Sequence, residues 1–390
     1  MKSKSWPHYS NKEIEIVSKI LKSGKVNYWT GNQCKNFELL FKKKFNLNYC
    51  ITLANGTVAL EAALNCLELK KNDEVIVPSK SYQSSASTIV TSGSKPIFCD
   101  VNYNSQNIDF IDLEKKISKK TKAIICVHLG GWPCEMNRIL KLAKKRGITV
   151  IEDCSQAHGA KIGNKFVGSF GDIAVWSFCN DKIISTGGEG GMIAVKKKEH
   201  WKKIWSYKEI GKNYYKVQKN LNNTFSGFNW VHDSFGTNLR MTEIQAALGI
   251  FQLKRLSKTI KRRNYLNKII WTKLKASKTI ITPSVESNLT LAPYRCYVKM
   301  NFDYIKSKYR LKDIIRLLNY KEKICNEGSC SEMYLEKSFK KSNLSPKKRL
   351  PIASSLSSTS LAFYLNPLIS NVEMDKKIKK IIKVLNLISI

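Results

Sequence analysis

Acid is scarce in this chain: 30 Asp and Glu stand against 67 Lys and Arg, a formal net charge of +37 over 390 residues. Such an excess suits a nucleic-acid or anionic-surface partner. The basic residues form no single patch, however, since KKKEH, KISKKTK, LSKTIKRR and KKIKKIIK lie far apart. No RNP-like, zinc-finger or helix-turn-helix pattern accompanies them. We therefore expect lysines spread over solvated faces, no nucleic-acid partner, and a modest preference for anionic small molecules. Also missing is any Cys-x-x-Cys pair. The 11 cysteines are irregularly spaced, and Cys325 and Cys330 lack the paired Cys/His spacing of a zinc site, so no metal is expected. Several, such as Cys126 in AIICVHL and Cys154 after VIED, read as buried free thiols in a reducing compartment. No run of about 18 apolar residues occurs, and MKSKSWPHYSNKE lacks the apolar core of a signal peptide. A cytoplasmic protein without a membrane partner is the expectation.

What is present is ordinary for a globular chain: 43% apolar and 25% charged residues, enough for two domains. From about residue 50 to 195, YCITLA, DEVIVP, KPIFCDV, KAIICVHL, ITVIED, IAVWSF and GMIAVK read as strands. Their near-continuous apolar character predicts burial on both faces, as in a parallel sheet. Between them TVALEAALNCLEL, SASTIVTSG, DFIDLEKKIS and MNRILKLAKKRG read as helices, the last stopping at Gly147. The alternation gives a doubly wound α/β domain. After about 235, the long amphipathic MTEIQAALGIFQLKRLSKTIKRRNYLNKIIWTKLKA leads towards a smaller α+β unit. That unit holds strand-like YRCYVKMN, helical KDIIRLLNYK, a Ser-rich stretch near 354–360 and a terminal amphipathic helix. We draw the boundary as 1–255 for the large domain and 256–390 for the small one.

In open α/β sheets ligands bind beyond the carboxyl ends of the strands. After the first strand comes Asn55-Gly56-Thr57, directly before an apolar helix. It fits a phosphate site at a helix N-terminus, and equally a simple cap by Asn55 or Thr57. Tyr82 follows the second strand, placed to stack on a planar ligand or merely to pack. ITVIED ends in Glu152-Asp153, carboxylates that burial makes costly without a partner, with Gln156 and His158 nearby in the next loop. Lys182, beyond the strand end at Ser177, precedes glycines 187, 188, 190 and 191, which match neither a P-loop nor a dinucleotide fingerprint. Taken singly, Lys182 is one more surface charge. Taken together, an anion cradle, a stacking aromatic, a carboxylate and an amine are what pyridoxal phosphate requires.

VIEDCSQAHGA, GSFGDIAVWSF, the lysine before GGEGGM, and GTNLRMTEIQAALGIFQL resemble the DegT/DnrJ/EryC1/StrS family, as do SGKVNYWTG, LANGTVALEAAL, VPS and HLGGWP. The likeness covers about residues 10–255 and continues more weakly to the end. It implies an α/β fold of the aspartate aminotransferase type (fold type I), with a mostly parallel central sheet under helices and a smaller α+β C-terminal domain. It implies pyridoxal 5'-phosphate as cofactor, with Lys182 forming the Schiff base and shuttling the proton. Asp153 would pair with the pyridinium nitrogen, Gln156 with the ring hydroxyl, and Gly56, Thr57 and Ser177 with the phosphate. Asn238 would reach the phosphate of a neighbouring subunit, so a homodimer with shared active sites is implied. The implied activity is transfer of the amino group of L-glutamate to a nucleotide-linked keto-deoxy sugar, at C4 in preference to C3, for amino-sugar and surface-polysaccharide biosynthesis. The alternative is a cofactor-binding relative or regulator that does not transaminate. Three positions depart from the family pattern: Asp181 immediately before the lysine, Ile210 where a histidine is frequent before the glycine, and Asn366 near the end. They bear on the substrate.

Overall fold

The computed structural model describes residues 5–221, 230–328 and 332–390. Cys330 lies outside the described residues, and the other ten cysteines are free thiols, all buried except the half-buried Cys179. Nine strands form in the first half: β1 (Tyr49–Leu53), β2 (Glu74–Pro78), β3 (Lys95–Cys99), β4 (Thr121–Val127), β5 (Thr149–Asp153), β6 (Lys161–Ile162), β7 (Lys165–Phe166), β8 (Ile173–Ser177) and β9 (Gly191–Val195). Seven of them build one sheet in the order β1-β9-β8-β5-β4-β2-β3. Only β9 runs against the others, pairing antiparallel with both β1 and β8. The remaining neighbours are parallel, so six carboxyl ends open on the same edge.

Side chains alternate across a strand, and here both faces meet apolar layers. Val75, Val77, Ile125, Val127, Ile173 and Val175 join one core. Their neighbours Ile76, Ile124 and Cys126, and Ala174 and Trp176, join two others. That explains why these strands are apolar throughout rather than alternating. The helices α1 (Asn11–Ser23), α2 (Gln33–Phe45), α3 (Gly56–Asn65), α4 (Ser84–Thr91), α5 (Phe110–Lys116), α6 (Met136–Arg146), α7 (Lys198–Lys208) and α8 (Tyr214–Leu221) cover the sheet and its edges. Gly147 stops α6 with φ +66, a left-handed cap that glycine adopts without steric cost.

The long helix α9 (Glu243–Leu274) starts on a capping box between Thr242 and Gln245. Its Ala246, Ile250, Leu253 and Leu256 pack into the aromatic core under the sheet. Its Leu266, Ile270 and Leu274 belong to a separate C-terminal core. The boundary drawn at residue 255 thus falls inside one continuous helix. Beyond it come β10 (Ile280–Ile281), β11 (Leu289–Thr290), β12 (Arg295–Met300), β13 (Cys325–Asn326) and β14 (Ser360–Tyr364). A four-stranded antiparallel sheet, β10-β12-β14-β13, lies against α10 (Leu311–Leu318) and α13 (Asn371–Ile388). Not all of this half stays there: β11 pairs with β6. Met333, Tyr334, Phe339 of α11 (Lys337–Lys341), Leu350 and Leu356 return to the core of the large sheet. The Ser-rich stretch is helical, α12 (Pro351–Thr359), and runs straight into β14.

Candidate active site

The loops beyond the parallel strand ends enclose a cavity of about 500 Å³. Gly56, Thr57, Tyr82, Asp153, Gln156, Ser177 and Lys182 all line it, together with Asn55, Ser155, Cys179, Asp181, Tyr294, Arg295 and Tyr297. The resemblance assigns Asn238 to the site of a neighbouring subunit. Asn238 is exposed on a stretch bridged to Glu209, outside the lining of this cavity.

Asn55, extended and just before α3, caps the helix by accepting from the Val58 N–H at 3.0 Å. Capping and cavity lining therefore coincide at this turn. The first turn of any helix leaves N–H groups without intrahelical acceptors, and α3 aims that turn at the cavity. It does so at close quarters: a Cβ on Gly56 would stand 2.6 Å from the Ser177 Cβ, and one on Gly191 would stand 2.3 Å from the Asn55 carbonyl oxygen. The glycines are what let α3 approach the ends of β8 and β9.

Consecutive residues at the end of β5 have opposite duties. Glu152 points away from the cavity and is fully buried. It accepts from the N–H groups of Gly168, Phe170 and Gly171 and pairs with His128 Nε2 at 3.0 Å. Burial pushes its carboxyl up, but the His128 bond and these N–H groups more than offset that and hold it below its ordinary value. His158, expected beside these carboxylates, instead packs its buried ring against Phe178, 5.7 Å between centroids. His128, which the sequence left unremarked, is the actual partner of Glu152. Asp153 lines the cavity, accepting from the Ser155 N–H at 3.0 Å and the Ser85 hydroxyl at 3.2 Å. Gln156 Oε1 accepts from the Gly130 N–H at 2.8 Å, which fixes its amide at the cavity wall.

Lys182 Nζ lies 4.6 Å from the Tyr294 ring centroid and 3.8 Å from Asp181 Oδ1. The other oxygen of Asp181 accepts from the Tyr294 hydroxyl and from Arg295 Nη2, the latter at 2.9 Å. Burial raises the Asp181 carboxyl, but Lys182, the Tyr294 hydroxyl and Arg295 outweigh it and keep the group below the usual carboxylate range. The loop is braced from the N-terminal segment. Trp6 Nε1 donates to the Lys182 carbonyl at 2.9 Å, and the Gly187 N–H donates to the Tyr9 hydroxyl at 3.0 Å. Of the three departures from the family pattern only Asp181 reaches the cavity; Ile210 and Asn366 line no part of it. Tyr294, Arg295 and Tyr297 are missing from the sequence reading because YRCYVKMN reads only as a strand. The signal available was Asp181 itself, an acid beside the lysine that called for a second cation.

Residues 7–383 match the model of the DegT/DnrJ/EryC1/StrS aminotransferase family. The chain belongs to that family. It is an enzyme of the aminotransferase class. Among its relatives, the GDP-perosamine synthase of Escherichia coli O157:H7 is 40% identical over 257 residues, 66% of this chain and 67% of that protein. The dTDP-3-amino-3,6-dideoxy-alpha-D-galactopyranose transaminase of Aneurinibacillus thermoaerophilus is 36% identical over 253 residues, 65% of each chain. The solved structure of the aminotransferase from Psychrobacter cryohalolentis superimposes with a TM-score of 0.94 at 40% identity, covering 99% of this chain and 100% of that one. Among the described residues no helix is long and apolar enough to cross a membrane.

Proposed function

We propose that this chain uses pyridoxal 5'-phosphate to move the amino group of L-glutamate onto C4, in preference to C3, of a nucleotide-linked keto-deoxy sugar. The product serves amino-sugar and surface-polysaccharide biosynthesis, and the enzyme works as a homodimer in the cytoplasm. One observation carries the reading: the amine of Lys182, the carboxylate of Asp153 and the α3–Ser177 cradle converge on a single cavity. The residues fit the group. The cradle is too tight for a Cβ at Gly56 and offers N–H and hydroxyl donors, as a phosphate requires.

When bound, pyridoxal phosphate supplies a ring that accepts the electron pair left by loss of a proton from the substrate carbon. Asp153 holds a proton on the ring nitrogen, its own carboxylate kept in place by Ser85 and Ser155. Gln156 would donate to the ring hydroxyl, and Tyr82, which lines the same cavity, would offer a stacking surface. Lys182 Nζ would hold the cofactor at its aldehyde carbon, and the same amine would carry the proton at the reacting carbon. The names of the two relatives above contain nucleotide-linked amino sugars, which supports that substrate class here. The stretch around Lys182 resembles C4-amino enzymes most, and the 3-amino name of the Aneurinibacillus relative makes C3 the outcome to exclude. Asn238, exposed and away from its own cavity, suits a role in a partner's site.

The test is the glutamate half-reaction on purified, cofactor-loaded protein, followed by nuclear magnetic resonance of the sugar product. Release of 2-oxoglutarate, loss of the yellow absorbance and an amine on C4 are expected. Cofactor binding without 2-oxoglutarate would move the chain to the non-transaminating alternative. A Lys182→Ala protein releasing 2-oxoglutarate at the wild-type rate would remove the lysine from the mechanism.

A further inference from the structure

The Asp181–Tyr294–Arg295 cluster stands at the amine of Lys182. Arg295 is fixed. Its guanidinium lies over the Tyr294 ring at 4.6 Å and the Tyr364 ring at 4.3 Å, and its side chain is only 16% exposed. Asp181 is the looser partner at 45% exposure, on the loop between Ser177 and Lys182. Together Tyr294 and Arg295 present a hydroxyl and a guanidinium N–H to one carboxylate oxygen, while the other oxygen faces Lys182 Nζ at 3.8 Å. A guanidinium beside a phenol is well matched to a carboxylate. Here the carboxylate that fills the place is the chain's own.

We infer that Tyr294 and Arg295 form a carboxylate subsite beside Lys182, which Asp181 occupies as a built-in counter-ion until the carboxylate of the amino donor displaces it. The inference rests on the transamination reading for the identity of the ligand. Distance selects the donor's α-carboxylate over the phosphates of a sugar nucleotide. An α-carboxylate is one bond from the carbon whose amine reacts, and the subsite is adjacent to the reacting lysine. The diphosphate of a nucleotide sugar is separated from C4 by the ring itself. Asp181 sits between the cavity's two cations, Lys182 and Arg295, and answers both. The cavity's apparent affinity for a carboxylate is then lowered by the share of molecules in which Asp181 holds Arg295.

Calorimetric titration of cofactor-loaded protein with glutarate tests this, because glutarate has the donor's carbon chain without an amine and cannot react. Asp181→Asn keeps the shape, removes the competing charge and is expected to bind glutarate roughly fivefold tighter. Arg295→Gln is expected to bind it at least roughly tenfold more weakly, with the affinity for GDP unchanged. In the double variant the gain from Asp181→Asn must vanish. Should Arg295→Gln not fold, Tyr294→Phe reads the same place by loss of one hydroxyl, with glutarate roughly threefold weaker. Unchanged or weaker glutarate binding in Asp181→Asn overturns the inference. So does a gain that survives in the double variant, or an Arg295→Gln protein that loses GDP rather than glutarate. The titration needs no turnover, so a chain that releases no 2-oxoglutarate from glutamate still gives an answer.

Discussion

Gly56 and Ser177 come from the ends of different strands and meet at van der Waals contact, which makes the cradle sensitive to a single methyl group. Overpacking of this kind costs about 1–3 kcal/mol. Gly56→Ala is therefore expected to weaken pyridoxal phosphate binding roughly ten- to hundredfold, read by the cofactor retained after dialysis. Full retention would place the phosphate elsewhere. His158 gives a second residue-scale prediction. Burial first, and then the charge of Lys182, lower its pKa from 6.5 to about 3. The unfolded chain takes up a proton below pH 6.5 that the folded chain refuses until about pH 3. The stability contribution of neutral His158 is thus complete above 6.5 and is lost as pH falls towards 3. Urea melts at stepped pH should show a wild-type minus His158→Phe difference that grows on acidification in this window. A flat difference would mean the ring is protonated in the fold. At this scale the sequence was legible where a residue type was costly in its place, as Asp153 is at a buried strand end, and Lys182 stood out only in combination with it. It was not legible for His128, whose duty to Glu152 depends on a contact between two strands, or for Tyr294 and Arg295, brought in from far along the chain.

Elements show the same division between local and distant causes. Continuous apolar runs identified all seven strands of the large sheet, since burial on both faces leaves no polar alternation. They carried no sign that β9 is reversed, because an antiparallel strand buried on both faces looks the same. The helix α12 and strand β14 were hidden by serines at 354–360, whose usual preference for turns is overridden by packing of Ala353 and Leu356 beneath the sheet. Helix α2 shows tertiary structure completing what its sequence lacks. Its N-cap Asn32 makes no side-chain cap bond. Instead Glu243, in the first turn of α9, accepts from the N–H groups of Gln33 and Cys34 at 2.5 and 3.1 Å. A buried carboxylate there satisfies orphan donors and meets the positive end of the helix. Glu243→Ala should cost about 1.5–3 kcal/mol, measured as a lower urea midpoint with an unchanged slope. Glu243→Gln, which keeps an acceptor, should cost less. Equal losses would show that packing rather than capping is what Glu243 contributes.

At the scale of the whole molecule, one subunit leaves features that a second copy would use. Phe235 is fully exposed and Trp230 is 93% exposed, on the same stretch that presents Asn238 to solvent. Grouped exposed apolar surface is what a contact with another chain would cover. The proposed homodimer places this stretch against the partner's cavity, so that Asn238 of one subunit serves the Lys182 of the other. Subunit mixing separates this from a role in its own subunit. Take Lys182→Ala, inactive through its missing amine, and Asn238→Ala, impaired through its weakened phosphate site. In a mixed dimer, the site built on the intact lysine receives the intact asparagine from its neighbour, and the second site lacks both. Random reassociation of equal amounts makes half the dimers mixed, each with one complete site. Activity should therefore rise to roughly a quarter of wild type, above the mean of the two separate proteins. If Asn238 served its own subunit, every site in the mixture would lack one residue or the other, and reassociation would give no gain over that mean. Sedimentation of Phe235→Glu supplies the independent arm: a charge on this surface should shift the protein towards monomer and lower activity in parallel.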